Sequence, residues 1–189
     1  MQSYDWQLAL QQAVRKNQRD AHNRYAQLAT VRADGTPANR TVVYRGVSDD
    51  QRSLRMVTDL RSDKLTEIAA QPIAELCWYL SHTREQFRIR GRMIAETQSA
   101  QRDATWKALS DAAKAQFFWP TPGIAVGSAS SSTASSLPAD PATEPPPDDF
   151  VLLLLEPFYV DHLRLRGTPQ TRFFSQLNNN VWESTAVNP

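Results

Sequence analysis

Trp6, Leu10, Ala13 and Val14 recur at the spacing of one helical face, so the chain is predicted to open with an amphipathic helix. Beyond it the hydrophobic period drops to two. Two β-type runs within YAQLATVRADGTPANRTVVYRGV flank Asp34-Gly35, a strong hairpin signal. SLRMVTD reads as a third strand and IAELCWYL as a fourth. REQFRIRGRMIAE reads as a fifth, with Phe87 and Ile89 on one face and Gln86, Arg88 and Arg90 on the other. Between the third and fourth, SDKLTEIAAQ predicts a short helix stopped near Pro72. AQRDATWKAL and SDAAKAQFFW predict two more helices, the second ended by Trp119-Pro120-Thr121-Pro122-Gly123. FVLLLLEPFYVDHLRLRG reads as two strands that return to the sheet, and TRFF and VWESTAVNP close the structure. Short strands with few helices predict a mainly β protein, a mostly antiparallel β-barrel with peripheral helices.

Composition changes this picture in one place. From about residue 127 to 149 the chain is dominated by Ser, Ala, Pro and Thr, with almost nothing to bury. The expectation is one domain over 1–189 carrying a flexible inserted loop, since the forty residues beyond it are too few for a second core. Trp106, Phe117, Phe118 and Trp119 read as core at helical spacing. A net charge of +1 gives no global electrostatic case for nucleic acid or a membrane. Arg88, Arg90 and Arg92 alternate without interleaved aromatics and read as a solvated or interface face. The single cysteine, Cys77, excludes an internal disulfide and reads as a buried thiol in an apolar run. The three histidines lack ligand spacing, so no metal site is expected, and His162 reads as structural. The N-terminus has no charged start followed by an apolar stretch, and VLLLLEPF is too short to span a bilayer. A soluble, reducing, cytoplasmic setting is the expectation.

Candidate chemistry gathers where the third strand runs into the first short helix, TDLRSDKLTEI. Ser62 can cap that helix and Lys64 can be a solvated first-turn residue. Lysine is scarce, however, with four in the whole chain. Arg40 and Arg45 begin and end the strand of the preceding hairpin. Guanidinium and ammonium charges beside hydroxyl donors and a helix start are what a phosphate monoester requires. Gln86 offers both a donor and an acceptor, which suits a planar heterocycle.

RTVVYR (40–45), VTDLRSDK (57–64) and REQFRIRG (84–91), in that order and at those intervals, together with the closing WESTAVNP, resemble the pyridoxamine 5'-phosphate oxidase-like, FMN-binding split-barrel flavoproteins. The resemblance runs from the first hairpin to the last residue, apart from the Ser/Pro-rich insertion. It implies a homodimer with FMN at the subunit interface. Arg40, Thr58, Ser62 and Lys64 would hold the FMN phosphate. Val42 and Val57 would lie along the flavin and ribityl chain. Gln86, from its own or the partner chain, would contact the isoalloxazine ring. Arg45 stands where the oxidases carry a lysine touching flavin and substrate, and Arg172 aligns with an arginine near both. In such an oxidase a hydride passes from the C4' carbon of pyridoxine or pyridoxamine phosphate to flavin N5, and oxygen reoxidises the flavin.

The match is uneven. Asp63 stands where the oxidases place a second basic residue. Their Tyr, Arg and Ser set for the substrate phosphate is replaced by TWKALSDAAKAQFFWP, which offers Trp106, Lys107, Ser110 and Lys114. Their C-terminal substrate motif becomes RLRGTPQTR. The flavin half of the pattern is kept and the substrate half is rewritten. Two alternatives stay open: an FMN protein acting on a different small substrate, and a non-catalytic flavin- or haem-binding module.

Overall fold

A computed structural model of the chain describes residues 4–126 and 145–189. Most of the predicted insertion therefore lies outside the described residues. Helix α1 (Trp6–Asn17) begins at Asp5, whose carboxylate accepts from Gln7 N at 2.9 Å and Leu8 N at 3.1 Å. Strands β1 (Tyr25–Val31) and β2 (Pro37–Val43) form the predicted hairpin. Its turn is held by Asp34 accepting from Thr36 and by Gly35 at φ 81°. Then follow β3 (Leu54–Asp59), α2 (Asp63–Ala70), β4 (Ile73–Leu80), β5 (Glu85–Glu96), α3 (Ala100–Lys107) and α4 (Asp111–Ala115). The chain ends in β6 (Phe150–Arg164), β7 (Thr171–Asn178) and β8 (Val181–Val187).

Pairing is antiparallel throughout and runs β2-β1-β4-β5-β6-β7-β8, with β3 pairing the first half of β6. The ring closes where β2 leads into Arg45 and Gly46. Arg45 N donates to Arg55 O, and Arg55 N donates to Gly46 O, both at 2.8 Å. Six strands thus make a barrel, and β7 and β8 extend the sheet from the second half of β6.

The two strands expected from FVLLLLEPFYVDHLRLRG are one continuous strand, β6. Its register against β5 shifts between Arg90 and Gly91, which absorbs one extra residue beside Pro157. A bulge of this kind lets a proline sit inside a long strand. Gly91 has no alternative there, because a Cβ would stand 2.3 Å from Glu156 O.

Inside the barrel Leu28, Leu76, Trp78, Phe87, Ile89, Met56 and Leu155 are essentially unexposed, and α1 covers one end with Trp6, Leu10 and Ala13. Trp182 of β8 packs edge-on against Trp6, with ring centres 5.0 Å apart, and so anchors α1 to the last strand. A smaller core of Trp106, Leu109, Phe117 and Phe150 seats α3 and α4. Trp119, expected in that core, is 53% exposed. Cys77 belongs to the outward row of β4 with Glu75 and Tyr79 and is only half-buried, because period two puts Leu76 and Trp78 inward.

Candidate functional site

The β3–α2 corner is built by hydroxyls and one ammonium. Thr58 is the last buried residue of β3, and Ser62 precedes α2. Lys64 Nζ donates to Thr58 Oγ1 at 2.7 Å and to Ser62 Oγ at 2.9 Å, and the two hydroxyl oxygens are 3.2 Å apart. Ser62 makes no side-chain cap bond to α2. Its hydroxyl donates to Asp59 O at 2.8 Å. The capping expectation fails because the hydroxyl is drawn back toward β3, where Lys64 uses it as an acceptor. Lys64 makes no ion pair among the described residues, and its pKa is held below the usual lysine value by burial first and by the charge of Arg40 second. Asp63 is exposed and takes part in no ion pair among the described residues. Arg61 is claimed instead by Asp59 at 2.6 Å and Asp149 at 3.2 Å.

Beside this corner opens a cleft of about 450 Å³. Val42, Arg45, Val57, Thr58 and Lys64 all line it, and Phe117, Trp119, Pro120 and Pro122 form its outer rim. Asp59 is the one acid among the lining residues, and its carboxylate is held by Arg61. Arg45 carries a buried Nε with no hydrogen-bond partner among the described residues. Its pKa is lowered by burial and by the neighbouring Arg24. Arg45 also lines a second hollow of about 700 Å³ on its other side.

Arg40 stands behind the corner. Its side chain points into the barrel end, donates to Thr30 Oγ1, and pairs with Glu67 at 2.6 Å. Burial pushes the Glu67 carboxyl up, but hydrogen bonds from Thr30 and Arg40 outweigh it and hold the pKa low. Gln86 and Arg172 lie elsewhere, on the outward face of the sheet. They share one cross-strand row, Gln86 on β5 opposite Leu163 on β6, and Leu163 opposite Arg172 on β7. Arg172 is bound by Asp161 through two bonds of 2.9 and 2.7 Å. Five candidates therefore share one cleft, Ser62 joins by hydrogen bonding, Arg40 supports from behind, and Gln86 and Arg172 stand apart. Sequence reasoning missed Glu67, Pro120 and Pro122, and it placed Trp119 in the core ahead of a pocket wall. Glu67 had a signal: three residues after Lys64, it shares that helix face.

The donor set fits a phosphate-bearing cofactor. An ammonium without a carboxylate, two hydroxyls held against it and an arginine with an orphaned buried Nε all call for an anion. A closed antiparallel barrel with this cleft at the β3–α2 corner is an FMN-binding split barrel. A family model described as pyridoxamine 5'-phosphate oxidase, FMN-binding domain, matches residues 3–97. The chain is 40% identical over 195 residues to pyridoxine/pyridoxamine 5'-phosphate oxidase 2 of Arabidopsis thaliana, covering 97% of this chain and 96% of that one. A pyridoxamine 5'-phosphate oxidase-related, FMN-binding protein of Nostoc punctiforme superposes with a TM-score of 0.87 at 44% identity, covering all of both chains. PhzG of Burkholderia lata, solved with tetrahydrophenazine-1-carboxylic acid, shares the fold at TM-score 0.78 and 22% identity, over 96% of this chain and 90% of that one. The chain belongs to the pyridoxamine 5'-phosphate oxidase FMN-binding family, and its cofactor is FMN.

Proposed function

We propose that this flavoprotein is an FMN-dependent oxidoreductase of the pyridoxine/pyridoxamine 5'-phosphate oxidase type, working as a homodimer in a reducing, cytoplasmic setting. The observation that carries the reading is the cleft at the β3–α2 corner, where Lys64 and Arg45 present positive charge with no carboxylate paired to either among the described residues. FMN, when bound, would supply the redox chemistry, hydride transfer from the substrate followed by reoxidation with oxygen.

In this reading Lys64, Thr58 and Ser62 hold the phosphate. The lysine would give charge, and the two hydroxyls would add hydrogen-bond donors. Arg40 adds long-range positive charge and, through Glu67, fixes α2 so that the lysine is already in place. Val42 and Val57 make the wall along the flavin. Arg45, its Nε free, stands where reduced flavin and substrate would both need a cation; its guanidinium orients both and stabilises negative charge. Gln86 and Arg172 face outward, which supports their reaching the cofactor of the partner subunit. Asp161 would hold Arg172 in orientation there.

A second reading, an FMN enzyme for another small substrate, draws support from α3. That helix and the two residues after it present Ala104, Thr105, Ala108 and Leu109 to the hollow beyond Arg45, none of them ionisable. Anaerobic addition of pyridoxamine 5'-phosphate to the flavin-loaded protein separates the two. Bleaching of the flavin band is expected for the first reading. A flavin that stays oxidised would overturn it and leave the second. Combined Arg40→Ala and Lys64→Ala substitution is expected to abolish FMN retention; unchanged retention would sink the site assignment.

A further inference from the structure

Three segments around the cleft meet at one guanidinium, that of Arg61. Its Nε and Nη2 grip the Asp59 carboxylate at 2.9 and 2.6 Å, and its backbone N–H donates to the same carboxylate at 2.8 Å. Nη1 donates to the carbonyl of Trp119 at 3.2 Å, and Nε lies 3.2 Å from the Asp149 carboxylate. Trp119 belongs to the outer rim of the cleft, and Asp149 leads into β6, whose Phe150 stands opposite Asp59.

The place of Asp59 explains why it needs a counter-charge. It follows Thr58 directly and is the one acid among the residues that line the cleft. Its carboxylate shapes the turn into α2 by accepting the Arg61 backbone N–H two residues on, and its carbonyl accepts the Ser62 hydroxyl at 2.8 Å. The turn therefore uses an acid beside an anion seat. With the side chain only 15% exposed, water screens that charge weakly. Its field reaches Lys64, where the charges of Asp59, Glu67 and Asp63 act to raise the pKa against the stronger lowering by burial and Arg40. A charge that attracts the ammonium repels the dianion the ammonium would hold. Glu67 is answered by Arg40 at 2.6 Å, and Asp63 is exposed to solvent. Arg61 answers Asp59 through two parallel bonds, a grip that a planar guanidinium makes and an ammonium does not.

We infer that Arg61 is a positioning residue for the cofactor: by gripping Asp59 it cancels the one acid of the cleft, so that Lys64 can hold a phosphate dianion there. The inference rests on the reading of the β3–α2 corner as the phosphate seat. Its test is titration of the full-length flavin-free chain with FMN and with riboflavin, followed by quenching of flavin fluorescence. The proteins compared are wild type, Arg61→Gln, Arg61→Lys, Asp59→Asn, and Arg61→Gln combined with Asp59→Asn. Gln and Lys both give up the two-bond grip, and only Lys keeps the charge. Arg61→Gln is expected to weaken FMN binding about tenfold, the scale of one uncancelled carboxylate facing a dianion in a partly screened cleft. The same change should move riboflavin affinity by less than about twofold, because riboflavin carries no phosphate charge to repel. Arg61→Lys should stay within about threefold of wild type for FMN. Adding Asp59→Asn to Arg61→Gln should restore FMN affinity to that range, since the amide keeps an acceptor for the Arg61 N–H and has no charge.

A merely structural Arg61 gives a different pattern. Loss of the grip then lowers affinity for both flavins alike, in Arg61→Gln and Arg61→Lys equally, and Asp59→Asn restores nothing; that result overturns the inference. If Arg61→Gln does not fold, Asp59→Asn alone decides. It leaves Arg61 charged beside a neutral amide, so FMN should bind at least as tightly as to wild type, and weaker binding counts against the inference. The wild type separates this inference from the reading beneath it. Equal wild-type affinity for FMN and riboflavin removes the phosphate seat and this role of Arg61 with it. A wild-type preference for FMN that Arg61→Gln keeps in full leaves the seat standing and overturns the role of Arg61 alone.

Discussion

Two regions of the barrel handle arginine and lysine in opposite ways. On the outward face of β4 to β7, Arg88, Arg90 and Arg172 meet acids. Arg88 meets Glu75 at 2.7 Å and Asp161 at 3.7 Å, Arg90 stacks on Tyr159 within reach of Glu75, and Arg172 is held twice by Asp161. Around Arg45 the pattern inverts. Among the described residues Lys64 and Arg45 have no acid, and Arg55 has only a distant, solvated one. Arg40 and Arg61 are the exceptions on this side, paired with Glu67 and with Asp59 and Asp149. Residue type is therefore a poor guide to function here. What separates a structural cation from a ligand-binding one is whether the fold itself supplies the counter-charge.

The contrast can be broken most severely at Glu67. Glu67→Ala leaves Arg40 with an uncompensated charge at the barrel end. The loss should be about 2 to 3 kcal/mol of unfolding free energy in urea, below the fully buried range because the Arg40 side chain is 23% exposed. Next in size, Lys64→Ala should weaken FMN binding by about thirtyfold or more, as expected for charge-assisted bonds to a phosphate, measured by quenching of flavin fluorescence. A pH series sharpens the same point. Burial and Arg40 depress Lys64 below its ordinary 10.5, and a bound anion would raise it again. Between those two values binding takes up a proton, so FMN affinity should fall as pH climbs through that window. In Lys64→Ala the slope should vanish. The smallest effect belongs to the acid-paired face: Arg88→Ala should change stability by no more than about 0.5 kcal/mol and leave FMN affinity alone. A large effect of Arg88→Ala on FMN affinity would erase the distinction between the two regions.

The barrel was legible from period-two alternation in β1 to β5 and from the Asp34-Gly35 turn. β6 was not, because Pro157 breaks the strand signal and a bulge, which is a property of the pairing with β5, restores it. Thr58, Ser62 and Lys64 could be read because they are local to one turn. The destination of Arg40 depended on Glu67, twenty-seven residues later in the chain. The meeting of Arg45 and Arg55 was invisible for the same reason. Arg45 follows β2 and Arg55 lies in β3, and only the closure of β2 on β3 brings them together. Ser62 misled in the opposite direction: it stands at the cap position, yet Lys64 and Asp59 draw its hydroxyl away from the helix.

The most direct measurement compares FMN with riboflavin, which lacks only the phosphate, as ligands of the flavin-free protein and of Lys64→Ala. If the β3–α2 corner is the phosphate seat, the wild type should prefer FMN by roughly a hundredfold, and the preference should largely collapse in the variant. Equal affinity for the two ligands in the wild type, or a preference that Lys64→Ala leaves intact, would contradict it.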